Sequence, residues 1–396
     1  MTDRQKAFEQ LAREYERQTG VKVTFELFAP PDIYSQKVRA AAQGNNLPDI
    51  FGILGEKRDF ASFVRAGFVL DLTAYMDADA GAWKKMLVQK AVDTNSFSAG
   101  NGFGVRPGIY GVPLDMTAIK MVYNKDLLAR LGGDPRNPPS TLEDFLALAP
   151  KVREQGLQGF VTGGAELWMM DCLAGNYAFN IMGRDKVLRT LKGEVPYTDP
   201  DWIKVFEVFS QMQSAGMVTP GVVTMINKTA EQLFANGKAV FALNGSWGVN
   251  VYKGMNPSLD FGVALLPRAS GANPMSFWAS AGSSFLVNGR SQKKEKAVAF
   301  LKWLSGAEQQ VFLSSATNNL PANRDAAKDM PQALAGFARD MGQATHPNTW
   351  DMSEFPEVIE ALDKGIQSLV IGEKSPEQVA REVQRVKDRM VTKKGR

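Results

Sequence analysis

Four tryptophans lie beside polar or glycine-rich residues, where an indole can serve a ligand as well as a core. They are Trp168 in GGAELWMMD, Trp247 in LNGSWGVN, Trp278 in MSFWASAGSS and Trp350 in HPNTWDMSE. An indole offers a flat apolar face, while nearby amides, hydroxyls and carboxylates can hydrogen-bond the edges of a molecule stacked on it. Sugars combine apolar C–H faces with a rim of hydroxyls. These positions therefore predict a carbohydrate site, although each tryptophan taken singly could instead support a loop.

Other site chemistries find less support. The chain has one histidine, His346, and one cysteine, Cys172, so it cannot build a disulfide framework or a Cys/His zinc site by itself. His346 lies in the polar stretch 342–348, which is typical of a loop, and Cys172 is predicted to be a small buried hydrophobe. The glycine-rich run 100–104 lacks the GxGxxG spacing and predicts a surface loop. No metal and no cofactor are predicted.

Two alternatives to sugar binding stay open. A glycoside hydrolase or lyase would need two carboxyl groups about 5 to 9 Å apart, one with a raised pKa, and Asp49 with Asp115 is the pair to check. A receptor for a charged small solute is the other alternative. Glycerol phosphate would require a cluster of Arg or Lys, whereas a polyamine would require acids facing aromatic rings.

Length and composition describe a soluble protein of several domains. At roughly 150 residues per domain, 396 residues suggest two or three domains. Lys plus Arg number 46 against 42 for Asp plus Glu, and the resulting +4 is spread along the chain, which argues against a nucleic-acid-binding stripe. The uncharged run 269–289 contains glycine, proline and several serines, so it is too polar and too broken for a membrane span.

Helical and strand-like patterns alternate along the chain, which predicts an α/β fold with mainly parallel sheets. Helices are predicted at the start of the chain, ending at Gly20, and over 201–216, where Trp202 belongs to the apolar face. Capping boxes predict helix starts at Ser140, Thr229 and Ser375. Strands are predicted over 21–25, 49–54, 117–123, 239–243, 261–265 and 284–287.

Several segments in order resemble a known family. They include LPDI at 47–50, YGVP at 110–113 followed by YNKD at 123–126, GSW at 245–247 and AVAFLKWLS at 297–305. Each is weak alone, but their order and spacing are specific, and the similarity covers nearly the whole chain. The sequence resembles the extracellular solute-binding proteins of ABC importers, in the carbohydrate-type group that includes maltose-binding-like proteins.

The resemblance implies a periplasmic-binding-protein-like fold of two α/β lobes, with about three hinge crossings and a ligand cleft between the lobes. The first lobe would hold residues 1–114 and 275–317, and the second 115–270 and 320–396. The crossings would lie near 112–116, 267–274 and 318–321. Family members also have a signal peptide and a first strand ahead of the opening helix, and neither is recognisable before the helix that opens this sequence.

The resemblance also implies a function without chemistry. A sugar or oligosaccharide would be captured between the lobes, hinge closure would bury it, and the membrane permease subunits of an ABC importer would recognise the closed form. We therefore expect a monomeric receptor that is not an enzyme, that binds no nucleic acid, and that works in the periplasm or at the cell surface.

Site residues follow from the resemblance position by position. Asp49 and Asp115 would accept hydrogen bonds from hydroxyls, and Trp247 would stack on a sugar. The remaining expected contacts are Trp278 and Ser280 beside the cleft, Trp168, Asp171 and Trp350 in variable regions, and Asn244 and Arg324 as polar contacts. A turn asparagine and a helix-start arginine are the alternatives for the last two.

Overall fold

The structure is a computed structural model that describes residues 4–28, 31–52, 57–345 and 354–394. Its α-helices are α1 Gln5–Thr19, α2 Pro31–Gln43, α3 Lys57–Arg65, α4 Thr73–Met86, α5 Gln89–Thr94, α6 Lys125–Arg130, α7 Leu142–Leu146, α8 Ala149–Glu154, α9 Trp168–Leu191, α10 Pro200–Ser214, α11 Asn227–Ala235, α12 Gly248–Met255, α13 Lys294–Leu304, α14 Ala307–Thr317, α15 Ala335–Ala338, α16 Pro356–Val370 and α17 Pro376–Lys394. Its strands are β1 Ile50–Gly52, β2 Ser96–Phe97, β3 Gly108–Ile109, β4 Val112–Pro113, β5 Asp115–Asn124, β6 Gln158–Val161, β7 Ala239–Gly245, β8 Phe261–Ala264, β9 Phe277–Ala281, β10 Ser284–Val287, β11 Leu320–Pro321 and β12 Ala344–Thr345.

The chain divides into two compact units. The first unit comprises Met1–Thr117 and Ser280–Ala335, and the second comprises Ala118–Ala279 and Gly336–Arg396. The chain thus passes between units three times, within β5, β9 and α15. The lobe bounds drawn from the resemblance differ from these units at 115–117, 275–279 and 320–335. Residues 320–321 belong with the first unit because β11 pairs with the start of β5.

The first unit is built on a three-stranded sheet in the order β1-β10-β4. β10 runs antiparallel to both neighbours, with Ile50 opposite Val287 and Ser284 opposite Pro113. Helix α1 is amphipathic, and its buried face, which includes Phe8, packs into the core of this unit. The helix ends at Gly20, whose φ of 72° is the left-handed conformation that glycine adopts easily.

The strand predicted at 21–25 does not form. Residues 21–28 have no regular secondary structure, and no strand among the described residues pairs with them. Val21, Val23 and Phe25 nevertheless pack against the core of the first unit. The alternating pattern therefore marks an extended segment with one buried side, because alternation alone does not supply a hydrogen-bonded neighbour.

The second unit has a sheet in the order β12-β9-β5-β7-β6, with β8 also paired to β5. β5 is antiparallel to β7 and β8, whereas β6–β7 and β12–β9 are parallel. The prediction of mainly parallel sheets was wrong, because alternation of strands and helices along the chain does not determine which strands pair. Helices α9, α10, α16 and α17 pack together around the largest core, where Trp202 is fully buried as expected.

The segment 267–274, expected to be a hinge crossing, lies within the second unit. The buried side chain of Asn180 on α9 ties it down, since its Nδ2 donates to the carbonyls of Ser270 and Asn273 at 3.1 and 2.7 Å. Its Oδ1 accepts from the backbone N–H groups of Ala269 and Ser270, both at 3.0 Å. Every polar group of this asparagine amide is thus used to hold the segment.

Of the three predicted capping boxes, one forms as expected. The Ser375 box is confirmed, since the Gln378 side chain and the Ser375 hydroxyl accept reciprocally from the backbone N–H groups. At α7 the cap is Thr141 rather than Ser140, because Thr141 Oγ1 accepts from Asp144 N–H. Thr229 lies inside α11, which begins two residues earlier at Asn227. No helix in the described ranges is both long and apolar enough to cross a membrane.

Candidate functional site

Three of the four tryptophans singled out in the sequence lie together in the second unit. The Trp168 ring centroid is 6.0 Å from that of Trp247 and 6.3 Å from that of Trp278, with tilted planes. Trp168 is 38 % exposed, while Trp247 and Trp278 are half-buried and rest on the core. We call Trp168, Trp247 and Trp278 the indole cluster. It combines support from the core with an accessible aromatic surface.

Each indole lies at or near the start of a regular element. Trp168 is the first residue of α9, Trp247 immediately precedes α12, and Trp278 lies in β9 opposite Thr345 of β12. Trp247 folds back over Gly245, where a Cβ would lie 1.9 Å from the indole ring. The glycine of the GSW segment is therefore required for the position of the tryptophan two residues later.

The Glu231 carboxylate connects the Trp247 indole to the core. Its Oε1 accepts from Trp247 Nε1 at 3.0 Å, Asn244 Nδ2 at 3.1 Å and Asn227 Nδ2 at 2.9 Å. Glu231 is only 6 % exposed. Burial raises the pKa of this carboxyl, the three N–H donors oppose the shift, and the nearby charge of Glu166 adds to it.

Glu166 holds the other end of the indole cluster. Its Oε2 accepts from Trp168 Nε1 at 3.2 Å, and its Oε1 accepts from the backbone N–H of Asn227 at 2.7 Å. Within the described ranges, neither Glu166 nor Glu231 has a lysine or arginine at ion-pair distance. The cluster is thus aromatic and rich in hydrogen-bond acceptors, a surface suited to a molecule with apolar faces and hydroxyl edges.

Comparison with known proteins agrees with this chemistry. Residues 10–339 match the family of bacterial extracellular solute-binding proteins. The chain belongs to this family. A maltooligosaccharide ABC transporter solute-binding lipoprotein of Streptococcus pneumoniae is 25% identical over 331 residues, covering 80% of this chain and 70% of that protein.

Solved solute-binding proteins share the fold. A chitin oligosaccharide binding protein matches with a TM-score of 0.77 at 21% identity, over 98% of this chain and 95% of the other. A sugar transporter protein of Bacillus licheniformis, solved with stachyose, matches with a TM-score of 0.71 at 19% identity, over 98% and 97% of the two chains. The expectation of a periplasmic-binding-protein-like α/β fold is thereby confirmed. These relatives carry names of binding and transport proteins, not of enzymes.

Two further expected contacts of this solute-binding protein lie near the indole cluster. Asn244 is 2 % exposed, and its Nδ2 donates to Tyr252 Oη at 2.7 Å as well as to Glu231. Its Oδ1 accepts from the Gly245 N–H at 2.8 Å, so the amide is engaged inside the protein. Asp171 lies in the first turn of α9, one turn after Trp168. The ligand-contact role of both remains a prediction.

Asp115 lies in the first unit and is occupied by protein partners. Its carboxylate forms an ion pair with Arg4, and its Oδ1 accepts from the Ser283 N–H at 2.6 Å. Arg4 also donates to Ser283 Oγ at 2.8 Å and to Asn319 Oδ1 at 2.9 Å. Burial raises the pKa of Asp115 while Arg4 and the Ser283 N–H act against it. This network gives Asp115 a structural role that the sequence did not suggest.

Asp49 and Asp115 do not form a glycosidase pair. The Asp49 backbone carbonyl accepts from Asn288 just after β10, whereas Asp115 accepts from Ser283 just before it. Five residues of extended strand separate these points, roughly 16 Å at the usual rise per residue. These backbone positions are further apart than the spacing of about 5 to 9 Å that two catalytic carboxyl groups require, and the Asp115 carboxylate is already paired with Arg4. The Asp49 side chain accepts from Ser291 Oγ at 2.6 Å.

The remaining expected residues belong to the first unit or lie outside the described ranges. Ser280 belongs to the first unit, is 2 % exposed, and lies 3.2 Å from the Thr94 hydroxyl. Arg324 also belongs to the first unit, where its Nε donates to the Leu87 carbonyl at 2.8 Å. Trp350 and His346 lie outside the described residues. Cys172 is buried in α9, as expected.

Sequence reasoning missed Glu166 and Glu231. A signal for Glu231 was present, because it occupies the buried face of α11 together with Ala230, Phe234 and Ala235. A carboxylate in an apolar helical stripe requires a polar partner, and such positions mark binding sites or buried networks. Glu166 left no comparable signal, since it lies in a loop. Among the described residues no group of acidic, histidine or cysteine side chains could hold a metal ion.

Proposed function

We propose that this solute-binding protein is the receptor of an ABC importer for a saccharide, and that the indole cluster forms the stacking surface for the sugar. The observation that carries the proposal is the accessible aromatic surface of Trp168, Trp247 and Trp278, bordered by the carboxylates of Glu166 and Glu231. Indole faces cover apolar C–H groups, and carboxylate oxygens accept from hydroxyls. The family and its saccharide-binding relatives support this proposal.

On this proposal the protein binds a saccharide and closes about a hinge. It acts as a monomer outside the cytoplasmic membrane and contacts the permease subunits of the importer. Ligand favours a closed form only if that form makes more contacts with it. Small-angle scattering with and without a binding saccharide tests this, because closure lowers the radius of gyration. An unchanged radius at saturation contradicts hinge closure.

A thermal-shift panel tests the proposed ligand class. It should include maltooligosaccharides, chitin oligosaccharides, raffinose-type oligosaccharides and monosaccharides. A ligand at 100 times its Kd stabilises a protein by about 2.7 kcal/mol, which is readily detected. We expect at least one saccharide to raise the melting temperature. Failure of the whole panel contradicts the proposal.

The panel should also contain spermidine and glycerol phosphate. Glu166 and Glu231 beside the indole cluster provide the acids that a polyamine receptor would need, whereas a phosphate would meet unpaired carboxylates. Stabilisation by spermidine and by no saccharide would replace our proposal with the polyamine alternative. Product analysis of each binding saccharide by thin-layer chromatography should show no cleavage, and turnover would make the protein an enzyme.

A further inference from the structure

The two oxygens of the Glu231 carboxylate have different surroundings. Three side-chain N–H groups converge on Oε1, at 2.9 to 3.1 Å. Within the described ranges, no donor lies at hydrogen-bond distance of Oε2, although the residue is only 6 % exposed. A buried carboxylate normally has hydrogen-bond partners at both oxygens. Oε2 is not among the enclosed polar atoms that lack a partner, so this oxygen is accessible from outside the protein, beside the indole of Trp247.

From this asymmetry we infer that Glu231 is a ligand-binding residue of the indole cluster. Its Oε1 fixes Trp247 and Asn244, and its Oε2 accepts a hydrogen bond from a hydroxyl of the bound saccharide. The inference rests on the proposed function and assigns a direct contact that the sequence did not indicate. A hydroxyl of the ligand would supply the hydrogen-bond donor that Oε2 lacks, and additional donors stabilise a carboxylate in a poorly solvated site.

The inference makes ligand affinity depend on the charge of Glu231. A proton added to this carboxyl goes to Oε2, because Oε1 already accepts three N–H groups, and the oxygen then becomes a donor. The other titratable groups that face Glu231 are Glu166, before α9, and the phenol of Tyr252 on α12, which is reached through Asn244. Burial raises the pKa of Glu231, so affinity should begin to fall at a higher pH than for an ordinary glutamate.

Glu231→Gln separates the two functions of the carboxylate. The amide oxygen can still accept the three N–H groups, while the amide NH2 replaces Oε2 with a donor. The opposite amide orientation would set the NH2 against three donors, so a single orientation is favoured. Loss of a hydrogen bond to a charged group corresponds to tenfold or more in Kd. A role limited to holding Trp247 would leave Kd nearly unchanged.

The experiment is calorimetric titration of the full chain with the saccharide that gives the largest shift in the panel, at several pH values. We expect the wild-type Kd to rise as pH falls, and the E231Q Kd to be at least tenfold weaker at neutral pH and independent of pH across that range. Glu194→Gln, a substitution at an exposed acid of the same unit, should behave as wild type.

Equal affinity of E231Q and wild type would overturn the inference while leaving saccharide binding intact. A pH-independent wild-type Kd would overturn it as well, and this measurement needs no variant to fold. Absence of binding by wild type to every saccharide would instead overturn the proposed function. The melting temperature of ligand-free E231Q shows whether a weaker Kd reflects a damaged fold.

Discussion

Two buried carboxylates, Asp115 in the first unit and Glu231 in the second, are used differently. The Asp115 carboxylate in the first unit forms an ion pair with Arg4 and also accepts a hydrogen bond from the Ser283 N–H. Glu231 in the second unit has no cation at ion-pair distance in the described ranges, and its donors converge on one oxygen. We infer that the paired acid, Asp115, stabilises the fold, whereas Glu231, which has an oxygen without a protein donor beside the indole cluster, contacts the ligand.

The largest expected effect tests the structural side of this comparison. Arg4→Met leaves the Asp115 carboxylate buried without its cation, which should lower the free energy of unfolding by about 3 to 5 kcal/mol. Arg17→Met, in the last turn of α1, removes only an exposed pair with Glu14 and should leave the free energy of unfolding nearly unchanged. Urea unfolding followed by circular dichroism measures both.

A second substitution checks the cause. Asp115→Asn retains an oxygen for the Ser283 N–H but removes the charge, so the double variant of Arg4→Met with Asp115→Asn should be more stable than Arg4→Met alone. If the double variant is the less stable of the two, the buried charge is not what Arg4 compensates.

The next effect tests the ligand side. Trp247→Ala removes an indole from the stacking surface and should raise the saccharide Kd by about thirtyfold or more, as truncation of a binding hot spot does. The ligand-free melting temperature should change by only a few degrees. Trp303→Ala, at a half-buried tryptophan of the first unit, should leave Kd unchanged. Collapse of ligand-free Trp247→Ala would identify Trp247 as a core residue instead.

A glycine substitution sharpens the same point without touching an aromatic ring. A Cβ at residue 245 would lie 1.9 Å from the Trp247 indole, so Gly245→Ala must displace it. Overpacking costs about 1 to 3 kcal/mol, and we expect a several-fold rise in Kd. Gly254→Ala is the matched control in α12, because no atom lies within 4 Å of its new methyl group. Equal Kd values for the two variants would show that the indole position is unimportant.

The smallest expected effect concerns the exposed end of the cluster. Trp168→Phe keeps an aromatic face but removes the N–H that donates to Glu166. A hydrogen bond contributes about 1 kcal/mol net, and this is the most binding free energy that its loss should remove. Kd should therefore change by less than about fivefold. Trp168→Ala should weaken binding more than Trp168→Phe. Equal Kd values for the two variants would mean that the hydrogen bond, and not the ring, is what the ligand needs.

Sequence patterns predicted much of the fold where local rules decide it. The strand over 117–123 and the capping box at Ser375 are present because periodicity and capping act within a few residues. Strand pairing is non-local, so the mainly parallel sheets and the strand at 21–25 were predicted wrongly. The position of a domain boundary is equally non-local, since it depends on contacts such as that of β11 with β5.

The candidate site shows the same division. Tryptophans beside polar residues could be recognised singly, and the structure brings three of them together. Partners across the chain could not be predicted, because nothing near Asp115 in the sequence points to Arg4, 111 residues away. Glu231 could have been found from its place on the buried face of α11, but not the asymmetry of its two oxygens.

The most direct test of a saccharide site at the indole cluster is fluorine NMR of the full chain labelled with 5-fluorotryptophan. Resonances are assigned by single Trp→Phe substitutions, and the saccharide selected by the panel is then added. The account predicts that the resonances of Trp168, Trp247 and Trp278 shift on saturation, while that of fully buried Trp202 does not. Saturation that leaves all three cluster resonances unmoved would place the bound sugar elsewhere and contradict the account.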